Sequence, residues 1–265
     1  MFLKRLINFF AKESKAEKEA REARETQEEW ASLTLTTAIS NENYTAALKQ
    51  LEETPQITQN GIVESFQPLK RLADVLAQDT FNPEATQLYV SLCEAGMKPT
   101  PSDIHKLIQQ KHNLPIICRL YETQPHLRNT IKNLNPLLIL AKSLATENRS
   151  EQDVTLFGRF AQMGIPANKT TVKLLFRQPE NLPIIRYLFM VQPELSPENP
   201  ENDGQNYVRH ANQSQNHAGL LFLYTLGVEL SSRQIKTLGK SRLDSNTRLN
   251  RQFNVKRKQQ QKENQ

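Results

Sequence analysis

The sequence predicts an all-α protein, a solenoid of stacked helical hairpins, and three observations carry that prediction. First, Asn113, Leu114, Pro115, Ile116, Ile117 and Leu120, followed by Gln124, Pro125 and Leu127, recur as Asn181, Leu182, Pro183, Ile184, Ile185 and Leu188, followed by Gln192, Pro193 and Leu195, at a constant offset of 68 residues. Leu88 and Gly96 extend the register to Leu156 and Gly164. Second, apolar segments end alternately in proline (Pro55, Pro125, Pro193) and in glycine (Gly96, Gly164, Gly227), two different stops for a helix. Third, strand signals are sparse, and the one Asn-Gly pair, Asn60-Gly61, joins no alternating runs. A fixed period kept over tens of residues marks units that stack on their neighbours.

The elements follow in order. Phe2, Leu3, Leu6, Ile7, Phe9 and Phe10 fall on one side of a helix, with Lys4, Arg5, Asn8 and Lys12 on the other. Such a tip either caps the open end of the array or docks on a membrane interface or another protein, and Phe2, Leu3, Leu6, Ile7 and Phe10 are its candidate docking residues. Charge interrupts the apolar run, so it does not read as a secretory signal, and the acids that begin at Glu13 exclude a mitochondrial presequence. From Lys12 to Glu29 the chain is nearly all Ala, Glu, Lys and Arg, which predicts a solvated helical stalk.

From residue 31 to 240 the repeat pattern holds. Leu48, Leu51 and Pro55 match Leu120 and Pro125, then Leu188 and Pro193; Leu88, Leu92 and Gly96 match Leu156, Phe160 and Gly164. Between them, Ile104, Leu107 and Ile108, or Val172, Leu174 and Leu175, give shorter helices one buried face. The loop from Pro197 to Gln205, with Glu198, Glu201 and Asp203, interrupts the repeat as a surface insertion or a contact element. After residue 240 the composition turns to Gln, Asn, Lys and Arg, which predicts disorder for a basic tail over residues 241 to 265.

Half of the period is close to the unit length of ankyrin and tetratricopeptide arrays. The run from Asn181 to Leu195, with its Ile184-Ile185 pair and Arg186, resembles the second helix and turn of an ankyrin repeat, as does Asn216 through Leu221, Leu226, Gly227 and Leu230. The resemblance spans about six degenerate units over residues 33 to 240. It lacks the Thr-Pro-Leu-His start of the family, and glycine is scarce throughout. Gly96, Met97, Lys98, Pro99 and Thr100 resemble instead the inter-repeat turn of pentatricopeptide proteins, and a generic α-hairpin array remains open beside both. The Asn, Gln and Lys content, the divergent ankyrin-like units and the basic C-terminus resemble effector proteins that intracellular bacteria inject into host cells.

The chain carries 34 Lys and Arg against 28 Asp and Glu, a net charge of +6. Ten of those cations and only two acids fall between Arg233 and Gln265, so the surplus belongs to the C-terminus. Arg248, Arg251, Lys256, Arg257 and Lys258 are the candidate contacts for an anionic partner, whether nucleic acid or an anionic membrane, unless the tail is a transport address or merely solubilising.

Catalytic patterns are poor. The five histidines are scattered, the eight glycines never cluster into a phosphate loop, and the two cysteines, Cys93 and Cys118, stand on apolar stretches as small hydrophobes. The sequence therefore predicts a non-enzymatic scaffold or adaptor without cofactor or metal, whose partner is another protein. Nucleic acid bound through the tail is the alternative, or a membrane-peripheral role through the N-terminal helix. With no signal peptide or membrane-spanning segment read from the sequence, the expected place is the cytoplasm, or a host cytoplasm if the chain is an effector.

Overall fold

The computed structural model describes residues 15–147, 149–199 and 204–240, and among them every regular element is helical. Two compact units divide the chain, residues 1–127 and 128–265.

The first unit begins with α1 (Lys15–Ser40), a single helix in which two halves of different character meet. Its N-terminal half is exposed and laced by Lys18–Glu22 and Arg21–Glu25 pairs at 3.8 and 3.6 Å, each worth a few tenths of a kcal/mol. From Ala31 onward the helix buries Ala31, Leu35, Ala38 and Ile39, so the stalk runs without a break into the first hairpin. There follow α2 (Tyr44–Glu53), α3 (Gly61–Phe66), α4 (Pro68–Leu76), α5 (Pro83–Glu94), α6 (Pro101–Leu107) and α7 (Leu114–Thr123). α1 pairs with α2, α4 with α5 and α6 with α7; α4 also packs on α6, and α2 on α5.

The second unit runs through α8 (Arg128–Asn133), α9 (Pro136–Leu144), α10 (Glu151–Gln162), α11 (Lys169–Leu175), α12 (Leu182–Val191), α13 (Gly204–Gln213), α14 (His217–Thr225) and α15 (Ser232–Lys240). Its hairpins are α9/α10, α11/α12 and α13/α14, with α9, α11 and α13 side by side in one row and α10 beside α12 in another.

The 68-residue period is physical. α4, α5, α6 and α7 start at 68, 83, 101 and 114; α9, α10, α11 and α12 start at 136, 151, 169 and 182. Helix starts are fixed by side-chain caps: Asn82, Thr100, Asn135, Ser150 and Asn168 each accept one of the first-turn backbone N–H groups that have no partner within the helix. Gln67 and Asn135, each preceding a proline, hold the same left-handed backbone at φ 54° and 51°. Gly96 and Gly164 end α5 and α10 at φ +103° and +74°, a region that costs a side-chain-bearing residue free energy. In both copies the next N–H reaches back over the helix end, Met97 to Leu92 O and Ile165 to Phe160 O, each at 3.1 Å. The proline stops act differently, each opening a 3-10 turn: Pro55–Gln59, Pro125–Leu127 and Pro193–Leu195.

Two buried amides lock the rows. Asn113 Nδ2 donates to Leu76 O at 2.6 Å and Leu107 O at 3.0 Å; Asn181 Nδ2 donates to Leu144 O at 2.8 Å and Leu175 O at 3.2 Å. Each amide therefore satisfies the last carbonyls of two neighbouring first helices, which no intrahelical bond reaches. Gln110 and Gln178 repeat the arrangement one position on, donating to Ala77 O and Ala145 O. Around them Leu72, Leu76, Leu88 and Leu92, and Leu140, Leu144, Phe157 and Phe160, are fully buried, each contributing about 1.5–3 kcal/mol.

Candidate interaction surfaces

With the frame the same in both copies, the outward positions are where the copies differ. In the first unit Asp74, exposed on α4 just after the buried Leu72–Ala73 pair, forms an ion pair with Lys106 of α6. On the second-helix side Arg119 of α7 pairs with Glu94 of α5. At the same register in the second unit stand Lys142 for Asp74, Leu174 for Lys106, Tyr187 for Arg119 and Gln162 for Glu94, so neither ion pair has a counterpart. His105 and Gln109 become Lys173 and Arg177.

The third first helix continues the change. Burial of Tyr207, Val208 and Ala211 in α13 matches that of Leu140, Ala141 and Leu144 in α9, which puts Arg209 where Lys142 and Asp74 stand. α9, α11 and α13 are adjacent, and none of them contains an acidic residue. Their row thus presents Lys142, Lys173, Arg177, Arg209 and His210 together. Burial, then the charges of Arg177, Lys173 and Arg209, lower the pH at which His210 takes up a proton. Behind the row, Phe176 stacks on Tyr207 with centroids 5.5 Å apart, and the Tyr207 hydroxyl donates to Leu195 O at 3.1 Å.

The first unit has a different surface feature, a cleft of about 660 Å³. Thr58 and Gln59, the start of α4 with Leu69 and Lys70, and the turn from Gly96 through Met97 and Lys98 line it. Its walls are tied by Thr58 Oγ1 donating to Ala95 O at 3.0 Å and by the reciprocal cap of Thr100 and Asp103. Met97 is half-buried there, whereas Ile165 at the same register in the second unit is fully buried. The second unit's turn is bridged instead by Gln192, which donates to Ile165 O and accepts from Ala167 N.

Titratable groups outside these surfaces have structural surroundings. Cys93 and Cys118 are buried and outside any disulfide; burial, then the Asp103 and Glu94 carboxylates, pushes Cys93 up to about 12. Burial likewise raises Tyr89, followed by the effects of Cys93 and Asp103. Of the histidines, His126 meets a backbone carbonyl, Pro99 O at 3.1 Å, and His112 lies edge-on to Phe81. No group of three or more metal-ligating side chains occurs among the described residues, and no helix there is long and apolar enough to cross a membrane.

The docking residues read at the N-terminus (Phe2, Leu3, Leu6, Ile7, Phe10) and the anionic-partner residues of the tail (Arg248, Arg251, Lys256, Arg257, Lys258) lie outside the described residues, as do Glu201 and Asp203 of the acidic loop. The cationic row escaped the sequence reading although its signal was present: comparing charge, rather than apolar pattern, across the 68-residue offset finds it.

No protein-family model matches the chain, and no curated protein or solved structure matches it either.

Proposed function

We propose that this chain is a non-enzymatic scaffold or adaptor, a solenoid of ankyrin-like helical hairpins that binds another protein on the surface of its repeats. The observation that carries the reading is the division of labour within the period. Asn113 and Asn181, Gln110 and Gln178, and Gly96 and Gly164 keep the frame constant, while the exposed positions between them change charge and size from copy to copy. Repeat proteins recognise partners in this manner, with a stiff backbone presenting side chains from successive units so that affinity accumulates from modest contacts. A role as an effector acting in a host cytoplasm belongs to the same proposal, on compositional grounds.

The test is capture of partners from lysate, with and without nuclease treatment, by the full chain and by the chain lacking residues 241–265. One protein retained by both is the expected result. Recovery by the full chain alone, abolished by nuclease, would overturn the scaffold reading and move the function to the basic tail.

A further inference from the structure

We propose that Lys142, Lys173, Arg177 and Arg209, on the row made by α9, α11 and α13, form the docking surface for an extended acidic segment of a partner protein, with a carboxylate at roughly every third position. The proposal deepens the scaffold reading and rests on it.

The charge pattern is the first argument. The three helices of the row carry cations and no acid, and the side chains of the four residues form no ion pair or hydrogen bond among the described residues. Helix dipoles favour a cation in a last turn, which accounts for Lys142 and Lys173 as stabilisers of α9 and α11. Arg177, the residue after the C-cap of α11, lies at that same negative end, but the dipole does not account for a cation at Arg209 where the first unit has Asp74. α11 packs against α13, and burial first, then the charges of Arg177, Lys173 and Arg209, lower the proton affinity of His210, so those three cations act on one imidazole.

Geometry and composition select the partner. Packed helices stand about 8–10 Å apart, and an extended chain advances about 3.3 Å per residue, so side chains three apart on such a segment meet successive helices of the row. Arg and Lys presented in this way pair with carboxylates through charge-assisted hydrogen bonds. The row offers no exposed Phe, Tyr or Trp ring on which a base could stack, since Phe176 and Tyr207 are buried against each other. It also has no exposed large apolar side chain to enter a bilayer, since Met190 and Val191 belong to α12.

The experiment uses the full chain and fluorescence anisotropy with three labelled probes. These are a Gly/Ser peptide with Asp at every third position, a peptide of the same composition with its Asp residues contiguous, and a short DNA duplex. The spaced peptide is expected to bind best, and the variant Lys173→Glu/Arg177→Glu/Arg209→Glu is expected to weaken it by about tenfold or more. Its binding should also weaken as salt rises. Equal binding by the variant, or by the contiguous peptide, would overturn the proposal. A preference for the duplex that the variant abolishes would overturn it in favour of nucleic acid. A second readout needs no variant: NMR titration of the imidazole should show His210 taking up its proton at higher pH once the spaced peptide is bound, and an unmoved titration overturns the assignment. The scaffold reading fails by a different result, the retention of no protein by the wild-type chain in the capture experiment.

Discussion

Asp74 in the first unit and Lys142 in the second occupy the same place on corresponding helices, α4 and α9, yet Asp74 is paired across to Lys106 whereas Leu174 stands at that position opposite Lys142. Beneath them the structures agree: Leu72–Ala73 and Leu140–Ala141 are buried alike, and Asn113 and Asn181 bind the same carbonyls. The contrast teaches where each kind of constraint lives. A buried polar group must keep its partners or leave the full cost of its desolvation uncompensated, so the amide persists. A surface ion pair is worth under about 1 kcal/mol, so its loss leaves the fold intact and frees the charge for another use.

The largest test of that equivalence is in the core. Leu92 and Phe160 hold one register position, and both are fully buried. Leu92→Ala is expected to cost about 3 kcal/mol and Phe160→Ala about 4 kcal/mol by chemical denaturation. A loss below about 1 kcal/mol in either would show that the two cores are not packed alike.

Next come the amides. Asn113→Ala and Asn181→Ala each leave two helix-end carbonyls without a partner, and each is expected to cost about 2–3 kcal/mol. Similar losses sharpen the comparison, and a large cost for one beside a negligible cost for the other breaks it.

The two units also differ in buried acids of high pKa. Tyr89 and Cys93 have Phe157 and Ala161 as their counterparts. Burial raises both groups in the folded state, Cys93 from 9.0 to about 12, so above pH 9 the unfolded chain sheds protons that the folded chain keeps. Their contribution is complete below that pH and is lost as pH rises towards 12. The variant Tyr89→Phe/Cys93→Ala installs the second unit's residues and should flatten the decline in stability between pH 9 and 11. An unchanged decline would assign alkaline sensitivity to other groups.

Smaller effects follow at the turns and the surface. Gly96→Ala and Gly164→Ala meet no atom within 4 Å, so only the positive φ opposes them, and about 1 kcal/mol is expected for each. Asp74→Lys, which gives the first unit the second unit's charge, should change stability by less than about 1 kcal/mol. A larger loss there would mean that the Asp74–Lys106 pair holds α4 on α6.

Much of this frame was legible in the sequence because its signals are local. Pro125 and Pro193 stop helices by lacking an N–H, Gly96 and Gly164 by adopting a positive φ, and burial recurs with the apolar letters. The role of Asn113 was not legible, although the residue itself opened the repeated motif, because its partners lie on helices folded back from elsewhere in the chain. The break between stalk and repeat, read at residue 30, is a change of burial within α1 rather than a change of element. The cationic row required the register first and the charges second. Arg209 in particular emerges only after the burial of Tyr207 and Val208 fixes how α13 is turned.

The buried amides also bear on synthesis. Asn113, Asn181 and Asn216 reach back 37, 37 and 40 residues to the carbonyls they hold. No such bond waits for distant chain, and contacts of short sequence separation form fast. As the nascent chain leaves the ribosome, each of these asparagines finds its partners already made, so the first unit can close before the second has been translated.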